Sequence, residues 1–103
     1  MSLVDSLSGH LAASKNRAFQ ERTRERFARF VGFLQENNLT IKTILEPGSY
    51  PDRDLVIRYE DLTDEGAAVV KAAYHKWLQG IDNGKPPSDL GTLEAALAKV
   101  RRQ

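Results

Sequence analysis

Two histidines and two short acidic groups are the side chains of this sequence whose types could do acid-base or metal chemistry. His10 and His75 lie on different segments, and neither has the HExxH or Cys/His spacing that holds a zinc ion. His75 falls beside Lys71 and Gln79, opposite the apolar positions around it, where a helical side chain meets water. Asp52-Arg53-Asp54 and Glu60-Asp61 bring carboxylates close together, as general acid-base catalysis or a divalent cation would require. The segment after Asp52 lacks the glycine and the distal glutamate of an EF-hand loop, so these residues read as a solvated acidic face. Ser49 lies in Gly-Ser-Tyr-Pro and lacks the Gly-x-Ser-x-Gly elbow that exposes a nucleophile to oxyanion donors. The 7 glycines form neither a dinucleotide fingerprint nor a phosphate loop. With no cysteine, thiolate nucleophiles, thiolate zinc sites and disulfides are excluded together. The expectation is a protein without catalysis, cofactor or bound metal.

Binding is then the function to look for. The formal net charge is only +1, yet the charges are segregated along the chain. Between residues 15 and 29, Lys15, Arg17, Arg22, Arg24, Arg26 and Arg29 face Glu21 and Glu25, a local excess of +4. Between residues 52 and 65, Asp52, Asp54, Glu60, Asp61, Asp64 and Glu65 face Arg53 and Arg58, a local excess of −4. The candidate partner-binding residues are therefore Arg22, Arg24 and Arg26 on the basic side, Asp52, Asp54 and Asp61 on the acidic side, and Phe33 at the edge of an apolar stripe. They predict a protein-protein interaction module of the adaptor, specialised-chaperone or enzyme-neutralising kind, whose partner is another protein or a second copy of the chain. The alternative is nucleic-acid binding through a basic helix over residues 15–29, with cations for phosphates and Phe19 for base stacking. Against it, Glu21 to Arg24 and Glu25 to Arg29 have the spacing of helix-surface ion pairs. The connection through Gly84 is also too long for the turn of a helix-turn-helix reader. No apolar run is longer than the four residues of Ala67 to Val70, far short of the roughly 20 residues of a membrane span. The first residues lack the basic start and continuous apolar stretch of a secretory signal, which points to the cytoplasm.

The elements that must position these residues follow from periodicity. A chain of 103 residues, 41% hydrophobic and 28% charged, has the balance of one globular domain over residues 1–103 with a single core. Thr63 caps a helix with Asp64 and Glu65 in its first turn, and Val70, Ala73, Tyr74, Trp77, Leu78 and Ile81 make an apolar arc of about 140° on it. Asn83-Gly84 ends that helix and Pro86-Pro87 keeps it ended. Ser88 offers a cap for a closing helix striped by Leu90, Leu93, Leu97 and Val100, and the short connection predicts that the two pack as a hairpin. Earlier, Phe27, Phe30, Val31 and Leu34, widened by Phe33, predict a helix ending at Asn37-Asn38. The repeat Leu3, Leu7, Leu11 predicts a separate helical piece ahead of Ser14-Lys15-Asn16. Leu39–Leu45 and Leu55–Tyr59, rich in β-formers and separated by a turn-dense segment, predict a β-hairpin near residues 39–60. The expected fold is mainly α (α+β), three to four helices around one core with that short hairpin in the middle.

Overall fold

The computed structural model describes residues 3–13 and 15–102. Its elements follow in the order β1 (Leu3–Ser6), α1 (Leu7–Leu11), α2 (Arg17–Glu36), β2 (Val56–Arg58), α3 (Asp64–Asp82) and α4 (Gly91–Arg101). The fold is mainly helical α+β: the described residues form four α-helices and a two-stranded antiparallel sheet around one core. The helix ends obey local chemistry. Asn16 caps α2 by accepting from the Phe19 N–H at 3.0 Å, and Asn38 leaves the helix in the left-handed region at φ 59°. The Thr63 hydroxyl accepts from the Gly66 N–H at 3.0 Å as α3 starts, and Gly84, at φ 109°, turns the chain away after its end. The closing helix starts later than Ser88. The Asp89 N–H is held by the Pro86 carbonyl in a turn, so it is the Asp89 carboxylate that meets the Gly91 N–H at 3.1 Å.

The sheet has a partner that periodicity does not announce. β2 pairs with β1, in the register Leu3 to Arg58, Asp5 to Ile57 and Ser6 to Val56. The segment 39–45 supplies only the single bridge of Thr40 to Leu62, so the hairpin expected near 39–60 is replaced by a long-range pair. The physical reason is that residues 41–45 dock through polar contacts instead. The Gln35 side chain accepts from the Ile44 and Leu45 N–H groups at 2.7 and 3.0 Å and donates to the Leu45 carbonyl at 2.7 Å, using backbone groups that a strand would have paired. Leu3 correspondingly lies in a strand and is half exposed, whereas Leu7 and Leu11 are buried on α1. As the sequence predicts, α1 and α2 are separate helices on either side of Ser14-Lys15-Asn16, of which Ser14 lies outside the described residues.

The core joins Phe27, Phe30 and Leu34 of α2 to Val70, Tyr74 and Trp77 of α3, with Leu93 and Leu97 of α4 closing one side. Phe30 centres this packing, 4.4 Å from the Tyr74 ring and 5.7 Å from Trp77 between centroids. Helices α3 and α4 form the expected hairpin, tied at one end by the Trp77 indole N–H to the Asp89 carbonyl (2.9 Å) and at the other by Arg101 to Glu65 (2.9 Å). Phe33 belongs to this core at 3% exposure, which removes it from the candidate partner contacts. It lies only about 60° round α2 from Phe30, within the arc that the core takes in. Among the described residues no helix is long and apolar enough to cross a membrane.

Candidate functional site

Helical geometry separates the three arginines that are close in sequence. At 100° per residue, Arg22 and Arg26 lie about 40° apart on one flank of α2, while Arg24 lies about 160° from Arg26. Arg24 donates to the Pro51 carbonyl and stacks 5.0 Å over the Tyr50 ring. The Tyr50 hydroxyl in turn donates to the Glu21 carboxylate at 3.2 Å, so the expected Glu21–Arg24 pair gives way to a shared grip on the 50–51 turn. The Glu25–Arg29 pair does form, at 3.7 Å with both side chains about half exposed, and contributes little.

Arg22 and Arg26 line a cleft of about 450 Å³ between α2 and the turn that follows α3. The turn is built by Gly84 and by the Lys85 N–H closing onto the Gly80 carbonyl at 3.0 Å, after which Pro86-Pro87 lead the chain along the cleft. Lys85 adds a third cation, and Asp82 is the one carboxylate of the lining among the described residues. Arg26 is the unusual member. Its Nε and Nη2 atoms are shut off from solvent and have no hydrogen-bond partner among the described residues, while the guanidinium carbon lies 5.9 Å over the Phe27 ring. Leaving such donors dehydrated and unpaired costs about 1–3 kcal/mol, more when they are charged, against a cation-π return of about 0.5–2 kcal/mol. The side chain is thus held in a state that an incoming acceptor would relieve.

A second polar cluster joins β1 and α1 to α3 and has no signal in the sequence, because Tyr74 lies 69 residues from Asp5. The Asp5 carboxylate accepts from the Tyr74 hydroxyl at 2.6 Å and lies 2.8 and 2.9 Å from His10 Nε2. Asp5 also accepts from the Ser6 N–H, so its oxygens are saturated and it serves to latch β1 and α1 onto α3. Burial, then the hydrogen bond to Asp5 and its negative charge, push the Tyr74 phenol far above its ordinary value of 10.0, with the Arg26 charge opposing them. The favoured neutral phenol makes its full contribution below about pH 10 and loses it as the pH rises beyond that. Tyr74→Phe is expected to cost about 1.5–3 kcal/mol at neutral pH, and the gap from the natural protein should narrow above about pH 10. Urea unfolding over a pH series checks both; a gap that stays constant into alkali would remove the phenol-carboxylate bond as its cause.

The acidic candidates come together, although Asp61 is largely covered and so is not part of a wholly solvated face. Asp52, Asp54 and Asp61 line one shallow cleft of about 370 Å³ together with Lys42 and Arg58. Asp52 shapes its own turn by accepting from the Asp54 N–H at 3.1 Å, and Asp61, largely covered, pairs with Lys42 at 3.5 Å. Among the described residues no three acidic or histidine side chains converge as ligands for a metal ion would. A larger cleft of about 640 Å³ beside the 45–49 turn is walled by Val31, Phe33, Leu45, Pro47 and Leu90, with Arg29, Glu36 and Glu46 also in its lining. No family model, curated protein or solved structure matches the chain.

Proposed function

We propose that the chain is a non-catalytic protein-interaction module that receives an acidic partner in the cleft of Arg22, Arg26 and Lys85. The observation that carries this reading is the charge of that cleft, three cations against the single carboxylate of Asp82, beside apolar walls from Phe19, Ile81 and the two prolines. Such a surface suits a partner that offers both a carboxylate and hydrocarbon, and complementary charge speeds encounter and selects partners more than it adds affinity. The nucleic-acid alternative needs cations spaced along a phosphate backbone, and the division of Arg22 and Arg26 from Arg24 favours the compact partner instead. The composition, free of cysteine, suits a meeting with that partner in a reducing compartment such as the cytoplasm.

The test compares two charge reversals in capture from an extract of the source cells. Arg22→Glu with Lys85→Glu alters exposed positions of the basic cleft; Asp52→Lys with Asp54→Lys alters exposed positions of the acidic one. Surface changes of this kind leave unfolding within about 0.5 kcal/mol, with about 1 kcal/mol more at most for the turn bond that Asp52→Lys removes. The first pair is expected to lose the captured protein and the second to keep it. Full capture by both variants would sink the basic cleft as the recognition surface, and loss of capture on nuclease treatment would replace a protein partner with nucleic acid.

A further inference from the structure

We propose that the cleft between α2 and the turn after α3 is a receptor for a single carboxylate on an otherwise apolar segment, with the Arg26 guanidinium as its two-pronged donor, an assignment that rests on the interaction reading above and names the group recognised. Nε and Nη2 are the neighbouring nitrogens along one edge of a guanidinium, the edge that grips both oxygens of a carboxylate through parallel hydrogen bonds. In Arg26 they are the two atoms left dehydrated and without an acceptor. Arg24 has committed its guanidinium to the Pro51 carbonyl and Arg29 has Glu25, so neither is comparably available. Turning the Arg26 fork toward an anion in the cleft breaks no hydrogen bond among the described residues; it gives up the contact with Phe27 and moves the charge that acts on Tyr74.

The remaining lining selects the anion. A phosphate group presents three oxygens and needs further donors, usually backbone N–H groups. Here Pro86 and Pro87 have none, and the Lys85 N–H is already bound to the Gly80 carbonyl. One fork flanked by Arg22 and Lys85 fits two oxygens, and the walls of Phe19, Ile81 and the prolines fit aliphatic neighbours.

The experiment titrates the isotope-labelled full chain, at constant ionic strength, with the end-blocked peptide Leu-Glu-Leu, its Leu-Gln-Leu counterpart and inorganic phosphate, following the Arg26 Nε–Hε resonance. A saturable shift with the glutamate peptide alone is expected, with phosphate at least about tenfold weaker. Arg26→Lys, which keeps the charge without the fork, should weaken the peptide about tenfold or more, while Arg24→Lys should leave it unchanged. Should Arg26→Lys fail to fold, the natural protein's response to the two peptides still decides. An equal response to the glutamine peptide, tighter binding of phosphate, or an unmoved Arg26 resonance would overturn the carboxylate receptor. An unmoved resonance together with capture that still depends on Arg22 and Lys85 would leave the interaction reading standing. Peptide binding with capture indifferent to those residues would do the reverse.

Discussion

Replacing Trp77 with Ala should lower the unfolding free energy by about 3–5 kcal/mol, the range for truncating a large aromatic side chain in a core. Trp77 is 2% exposed, stacks near Phe30 and Tyr74, and donates its indole N–H to the Asp89 carbonyl at 2.9 Å. The substitution therefore opens a cavity between α2 and α3 and frees the turn that positions α4. A domain of this size holds only about 5–15 kcal/mol in total, so the variant should be close to losing its fold at physiological temperature. Trp77→Phe divides the effect. It keeps most of the ring packing and removes the N–H, so the hydrogen-bond part of its cost should be about 0.5–1.5 kcal/mol. Urea unfolding followed by far-ultraviolet circular dichroism measures both without relying on tryptophan emission. An unchanged midpoint in Trp77→Ala would contradict its place in the core.

The helices were legible because their signals are local. Thr63, the Val70 to Ile81 stripe and Asn83-Gly84 state the start, the inner face and the end of α3 within 22 residues of one another; the structure caps and ends the helix there and buries the stripe from Val70 to Trp77, with Leu78 and Ile81 half-buried at its edge. The strand pairing was not legible, since β1 has four residues, too few to display a period of two, and its Leu3 continues a four-residue leucine repeat that reads as helix. What decides is tertiary. Leu7 and Leu11 bury themselves on α1, while Asp5 is drawn to Tyr74 across 69 residues of chain. For the candidate site, the basic run on α2 was visible but its division was missed, although the helical angle alone separates Arg24 from Arg22 and Arg26. The unpaired state of Arg26 has no sequence signal, because it depends on which acceptors the turn after α3 fails to bring within reach.

The other large effect expected is from Gly66→Ala, and its sign is opposite to what helix propensity implies. In an open helical position, alanine is favoured over glycine by about 0.5–1 kcal/mol. Gly32 on α2 is such a position, with nothing within 4 Å of an added Cβ, and Gly32→Ala should stabilise by that amount. Gly66 lies in the first turn of α3, and a Cβ there would meet the Leu39 carbonyl oxygen at a separation of less than any real contact and the Leu39 Cβ at 3.1 Å. That oxygen cannot retreat cheaply. It accepts from the Thr63 N–H at 2.9 Å and from the Thr63 hydroxyl at 3.2 Å, while the Leu39 side chain is fully buried and its N–H is bound to the Leu34 carbonyl. Relief of the clash must either break a hydrogen bond, at about 1 kcal/mol net, or shift packed core, at about 1–3 kcal/mol, so Gly66→Ala is expected to cost about 2–4 kcal/mol. The close approach has a structural consequence: it holds the chain leaving α2 against the start of α3, next to the Thr40–Leu62 bridge, and so fixes how the two helices meet. Unfolding of the two variants side by side makes the comparison. Stabilisation by both substitutions would mean that the Leu39 carbonyl does not lie over Gly66, and the packing of α3 on that segment would have to be redrawn.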